Sequence, residues 1–162
     1  MIRKLLFLAA AASVLGRAAA AGPVVLSAQA TQDVQEAAFR HLFAGANPQM
    51  THCLVVPGPV GGPQSADPSP EFLARFADLK TPVKNRSGCN GKAADGIGVA
   101  DTVTGALAMF FSVGPVTCSS DTECELEAGY YAAPTAAASW IYDLQKKDGT
   151  WVVTGEHMQW IS

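Results

Sequence analysis

The sequence has no G-x-S-x-G elbow, no C-x-x-C pair and no phosphate-binding glycine loop. Without the elbow, Ser139, Asp143 and His157 carry the letters of a hydrolase triad but not the strand–turn–helix that presents a nucleophile. Without a C-x-x-C pair, zinc would have to be held by the neighbours His52 and Cys53, whose side chains cannot readily aim at one ion. "GCNGKA" at 88–93 has a glycine and a lysine, but neither the P-loop spacing nor its Ser/Thr. Positive charge is scarce: 11 Lys and Arg stand against 14 Asp and Glu, a balance that argues against nucleic acid as a partner.

Long apolar runs are also missing. The best, "LLFLAAAASVLG" from Leu5 to Gly16, falls short of the roughly 20 residues of a membrane span. Arg3 and Lys4 precede it, and "RAAAAGP" follows with Ala19 and Ala21 in A-x-A spacing. This is the layout of a secretory signal peptide, so residues 1–21 are expected to be removed and 22–162 exported, to the periplasm or beyond the cell. "AQA" ending at Ala30 lies too far from the apolar run to compete as the cleavage site, and no cysteine is near enough for lipid anchoring. Removal of the leader leaves eight basic and fourteen acidic residues, a net charge of −6, on a length that suits one domain with a substantial core.

In an oxidising compartment the four cysteines should form two bridges. Cys118 and Cys124 flank "SSDTE", a turn between two β-like runs, and would face each other across a hairpin. Cys53 and Cys89 then form the other pair. A bridge would consume the sulfur that His52 could otherwise activate as a thiolate.

Periodicity places a helix from Asp33, where Asp33 and Glu36 form a D-x-x-E capping box. "MTHCLVV" reads as a strand and the proline-rich "PGPVGGPQSADPSP" as a loop. Ser69, Pro70 and Glu71 start a second helix over "PEFLARFADL". The glycine-rich stretch from Lys80 to Gly105 is expected to be mostly loop. Four strands follow: "ALAMFFSVGPVTC", bent at Gly114-Pro115; "ECELEAGYY"; "SWIYDLQKK"; and "TWVVTGEHMQWIS". The third and fourth are joined by a type I′ turn at Asp148-Gly149. That turn pairs Lys147 with Thr150, Lys146 with Trp151, Leu144 with Val153 and Tyr142 with Gly155. A β-bulge at or beside Gly155 would then return Met158 and Trp160 to the face of Trp140 and turn His157 away. The fold expected is α+β: two helices packed on a curved antiparallel sheet that ends in a four-strand meander.

"FLARFADLKTPVKNRSGC", "GYYAAPTAAASWIYDLQKKDGTWVV" and the terminal "WIS" resemble a group of small exported bacterial proteins over roughly the last hundred residues. The "DG-W-V" hairpin also resembles the last strands of NTF2-like (SnoaL-like) domains, over about forty residues. The NTF2-like resemblance implies a concave pocket; neither resemblance supplies a catalytic motif, and the proline-rich loop departs from the longer helical start of NTF2-like domains.

The candidate binding residues are Trp140, Tyr142, Trp151 and Trp160, which could line one concave face; their competing role is core, opposite Phe39, Phe72 and Phe76. His41 reads as a helix-surface side chain and His157 as a sheet-face one. Arg75, Lys80, Lys84, Arg86 and Lys92 read as a solubilising run, with an acidic ligand or lipid headgroups the alternative. Glu123, Glu125 and Glu127 form the solvent face of a strand, a row where calcium would want a loop. The reading that follows is a non-catalytic exported domain that binds a small molecule or a protein partner, without cofactor or metal. One alternative is an enzyme with an NTF2-like pocket, acting through His157 or Tyr142 with Asp143. The other is an inhibitor-like protein that uses the proline-rich loop or a sheet edge.

Overall fold

The computed structural model describes residues 22, 24–59, 62–90, 92, 93 and 96–162. The expected leader, 1–21, lies outside the described residues, as do Val60 and Gly61 of the proline-rich loop and Gly91 of "GCNGKA".

Helix α1 spans Ala28–Ala44. Its N-cap is Ser27, whose Oγ accepts from the Ala30 N–H, so the helix begins earlier than the Asp33 capping box would place it. Asp33 and Glu36 instead lie inside the helix and both accept from Arg75 Nη1, at 2.8 and 2.9 Å. Strand β1 (Thr51–Pro57) follows, and β2 (Ser65–Ala66) folds back on its end. Helix α2 is short, Pro70–Ala74, with Ser69 as N-cap and Pro70 in the first turn, as its sequence predicts. The chain then continues to Leu79 in tight i→i−3 turns.

The glycine-rich stretch is more ordered than its composition predicts. It contains β3 (Val83–Asn85), a 3₁₀ turn (Arg86–Gly88), β4 (Cys89–Asn90) and β5 (Val99–Asp101). Sheet partners and the buried Asp101 supply order that local propensity does not. The Asp101 carboxylate pairs with Lys84 and accepts from the backbone N–H groups of Val103 and Thr104, which together hold it well below the usual carboxylate range. Strand β6 (Leu107–Val113) ends at Gly114-Pro115, and β7 (Thr117–Cys118) resumes the pairing with β8 (Glu123–Ala133). The long strands β9 (Ala136–Lys147) and β10 (Thr150–Ile161) complete the chain.

The sheet runs β10-β9-β8-β6-β1-β2, with β3 on β1 and β5 on β6. The architecture is α+β, and the sheet is mixed rather than purely antiparallel: β1 runs parallel to both β6 and β3. The connection from β1 to β3 contains α2, a crossover that brings β3 back beside β1 in the same direction. From β6 to β10 the neighbours are antiparallel.

Both helices cover one face of the sheet, the inner face. Val34, Ala38, Phe39 and Leu42 of α1 and Phe72 and Phe76 after it meet Leu54, Phe111, Val113, Leu126, Tyr142 and Leu144. On the outer face, Cys53, Cys89, Val99 and Ala108 make a smaller second core with Phe110. The Cys53–Cys89 bridge lies in this second core, and Cys118–Cys124 spans the β7–β8 hairpin, as the spacing predicts. Among the described residues no helix is long and apolar enough to cross a membrane. The two disulfides fit an extracellular or periplasmic protein.

One buried group has a pH cost. His52 is 2% exposed and packs on Phe43 and Phe111, each with a 4.7 Å centroid distance, and neither ring nitrogen makes a hydrogen bond. Burial pushes its pKa down, so the folded state favours neutral imidazole. Stability is therefore held above the unfolded histidine value of about 6.5 and falls as pH drops below it towards the lowered folded value. Urea unfolding of wild type and His52→Leu between neutral pH and about pH 5 should show a steeper acid loss in wild type. Parallel slopes would remove His52 as the cause.

Candidate functional site

The β9–β10 hairpin sets the geometry of the site. Its turn has positive φ at both Asp148 (50°) and Gly149 (82°), and the pairs Lys147–Thr150, Lys146–Trp151 and Leu144–Val153 form as the turn predicts. The register then shifts between Val153 and Gly155, leaving Thr154 as the extra residue. Gly155 therefore opposes Asp143 rather than Tyr142. Its φ is not in the left-handed region; a Cβ there would displace the Asp143 carboxylate from its place beside the strand. After the bulge, Glu156 opposes Tyr142 and Met158 opposes Trp140 on the inner face, while His157 turns outward. A second shift, at Gln159, turns Trp160 outward opposite Ser139.

The four candidate aromatics therefore separate. Trp140 and Tyr142 share the inner wall, with ring centroids 6.4 Å apart at 29°, and Tyr130 adds a third ring 5.9 Å from Trp140. Trp151 shares their face but is 5% exposed in the core, with Lys146 Nζ 6.0 Å from its ring centroid. Trp160 is 50% exposed on the opposite face.

Between this wall and the C-terminal end of α1 lies a cleft of about 590 Å³. Tyr130, Trp140, Tyr142, Met109 and Phe111 supply the sheet side, and His41, Leu42 and Ala44 to Asn47 the helix side. His41 and Glu156 meet at its rim, with Nε2 2.6 Å from Oε1. The His41 ring also stands edge-on to Tyr142, at 5.1 Å and 84°. Tyr142 is 3% exposed; burial, and then the charge of Glu156, push its phenol up to about 12, so it remains protonated at neutral pH. The cleft thus offers aromatic surface, a phenol, an imidazole and a carboxylate.

Composition and motifs singled out neither Glu156 nor the placement of His41. The available signal was the bulge itself, since a shift that brings Met158 inward must bring Glu156 inward as well.

The other candidates lie elsewhere. His157 Nε2 is 2.8 Å from Asp143 Oδ2, and both side chains are exposed on the outer face, away from Tyr142. Ser139 Oγ donates to Glu127 on that same face. The triad letters therefore assemble no nucleophile: Ser139 is engaged by Glu127, and His157 by Asp143. A polar groove of about 490 Å³ also lies there, lined by Glu123, Glu125 and Asp143 among others. Two members of the basic run are engaged internally. Arg75 joins the helices through Asp33 and Glu36, and Lys84 pairs with Asp101. Comparison of the chain with protein-family models, with curated proteins and with solved structures finds no match.

Proposed function

We propose that this chain is an exported domain that binds a small molecule in the cleft between the end of α1 and the inner face of β8–β10. The observation that carries this reading is one continuous concavity with an aromatic wall and a few polar groups at its rim. Its size falls within the range of small-molecule sites, about 300–1,000 Å³, and that mixture of surface is typical of them. The signal-peptide layout supports export, and a concave pocket is what the NTF2-like resemblance would imply. Binding without chemistry is the simpler role. The histidine–carboxylate pair expected to do acid–base work, His157 with Asp143, faces solvent on the other side of the sheet. The His41–Glu156 pair keeps a second, catalytic reading open, because it stands beside Tyr142 at the cleft.

A thermal-shift screen of the oxidised protein against a metabolite library tests the reading. Ligand at 100 times its Kd stabilises by about 2.7 kcal/mol, enough to move the melting temperature visibly. Hits should disappear in Trp140→Ala while its unliganded transition remains cooperative. Hits that persist in Trp140→Ala would move the site out of the cleft. Turnover of a hit that is lost in His41→Gln would favour the catalytic reading.

A further inference from the structure

We infer that the ligand of this cleft is an organic cation with an apolar body, an amine or quaternary ammonium rather than an acid; this rests on the cleft being the binding site. Three independent features of the lining favour positive charge.

The first is Glu156. The bulge at Thr154 rotates it onto the inner face, where its carboxylate reaches the cleft and bonds only to His41 among the described residues. No lysine or arginine lines the cleft among the described residues, and the one basic side chain in its lining, His41, is already engaged by Glu156. The second is the helix wall. His41 to Asn47 are the last turn of α1 and the residues just after it, and a helix of 17 residues presents the negative end of its dipole there. The third is the pair Tyr130 and Trp140, both partly exposed, whose π-electrons attract a cation while their area accommodates an apolar body. These attractions act on charge close to the wall, where water is partly excluded and screening is weaker than at an open surface.

Other parts of the molecule carry less. The acidic outer face has Glu123, Glu125 and Asp143 in an open groove, with nothing there that points to a ligand. The space beside His52 is lined by Phe43, Pro48 and Leu79, with Arg40 at its edge. Strand β10 leaves Met158, Trp160 and Ile161 exposed, but nothing shows what would cover them.

The test uses three probes of similar bulk: benzyltrimethylammonium, its uncharged isostere neopentylbenzene, and benzylphosphonate. Each is titrated into the oxidised protein and followed by the indole N–H resonance of Trp140, identified by its loss in Trp140→Phe. The cation should bind about tenfold more tightly than the isostere, a difference equivalent to about 1.4 kcal/mol. It should also bind more tightly than the anion, and Glu156→Gln should erase most of the preference. Glu156 is about half exposed, so the variant is expected to fold. If the isostere or the anion perturbs Trp140 at equal or lower concentration, the cation assignment is overturned and the cleft stands as a binding site. If none of the three perturbs Trp140 and the metabolite screen is flat, the cleft reading fails with it.

Discussion

Replacing Cys53 and Cys89 together by alanine should destabilise the oxidised protein by about 4 kcal/mol, against about 2 kcal/mol for Cys118 and Cys124. The difference follows from loop length. The first bridge closes a separation of 36 residues and the second only 6, so the first removes more freedom from the unfolded chain. Position acts in the same direction. Cys53 is fully buried, and its bridge ties the 3₁₀ turn and β4 down over β1, where Val99, Ala108 and Phe110 complete the small outer core. Urea unfolding of the two double variants measures both values. An equal or inverted order would mean that the irregular 80–105 stretch is held by its own strands rather than by the bridge. Because this core lies on the outer face, cleft binding should survive in the Cys53/Cys89 variant wherever it remains folded.

Local chemistry made some of the fold legible and distance hid the rest. The Asp148-Gly149 turn, Ser69-Pro70 and the Cys118–Cys124 hairpin are each decided within a few residues, and all three appear as their sequence predicts. The start of α1 was misplaced because Asp33 and Glu36 have the spacing of a capping box, yet their partner is Arg75, some forty residues on. Strands β3 to β5 lack strand-like composition; β3 pairs with β1, β5 with β6, and β4 with β5, so distant partners supply their order. The site follows the same rule. Trp140 and Tyr142 were visible as aromatics on one strand face, but a single inserted residue decides whether Glu156 or His157 faces inward. His41 meets Glu156 across 115 positions. The first bulge could be anticipated from Gly155. The second, which turns Trp160 outward, has no glycine to mark it.

Phe39→Ala should cost about 4 kcal/mol and, unlike loss of the Cys53–Cys89 bridge, should weaken the cleft as well. Phe39 has no exposed surface and sits at the centre of the helix–sheet core, with the rings of Phe43, Phe72 and Phe76 each about 6 Å away. Truncation leaves a cavity that a cluster of three stiff rings cannot readily close, which keeps the cost off the lower end of the range for buried aromatics. Against a typical total of 5–15 kcal/mol, that is a large share of the stability. The functional consequence follows from the helix. Phe39 lies on the same helix as His41, and Phe43 continues the contact to Phe111 in the cleft wall. A loosened α1 would therefore lengthen the His41–Glu156 contact and widen the cleft. Phe39→Leu separates the two effects, since it refills most of the volume and should recover more than half of the loss. Urea unfolding gives the stabilities, and the shift of the Trp140 resonance with ligand gives the cleft. Phe39→Ala with normal ligand affinity in its folded fraction would show that the sheet alone sets the cleft, and that α1 only covers it.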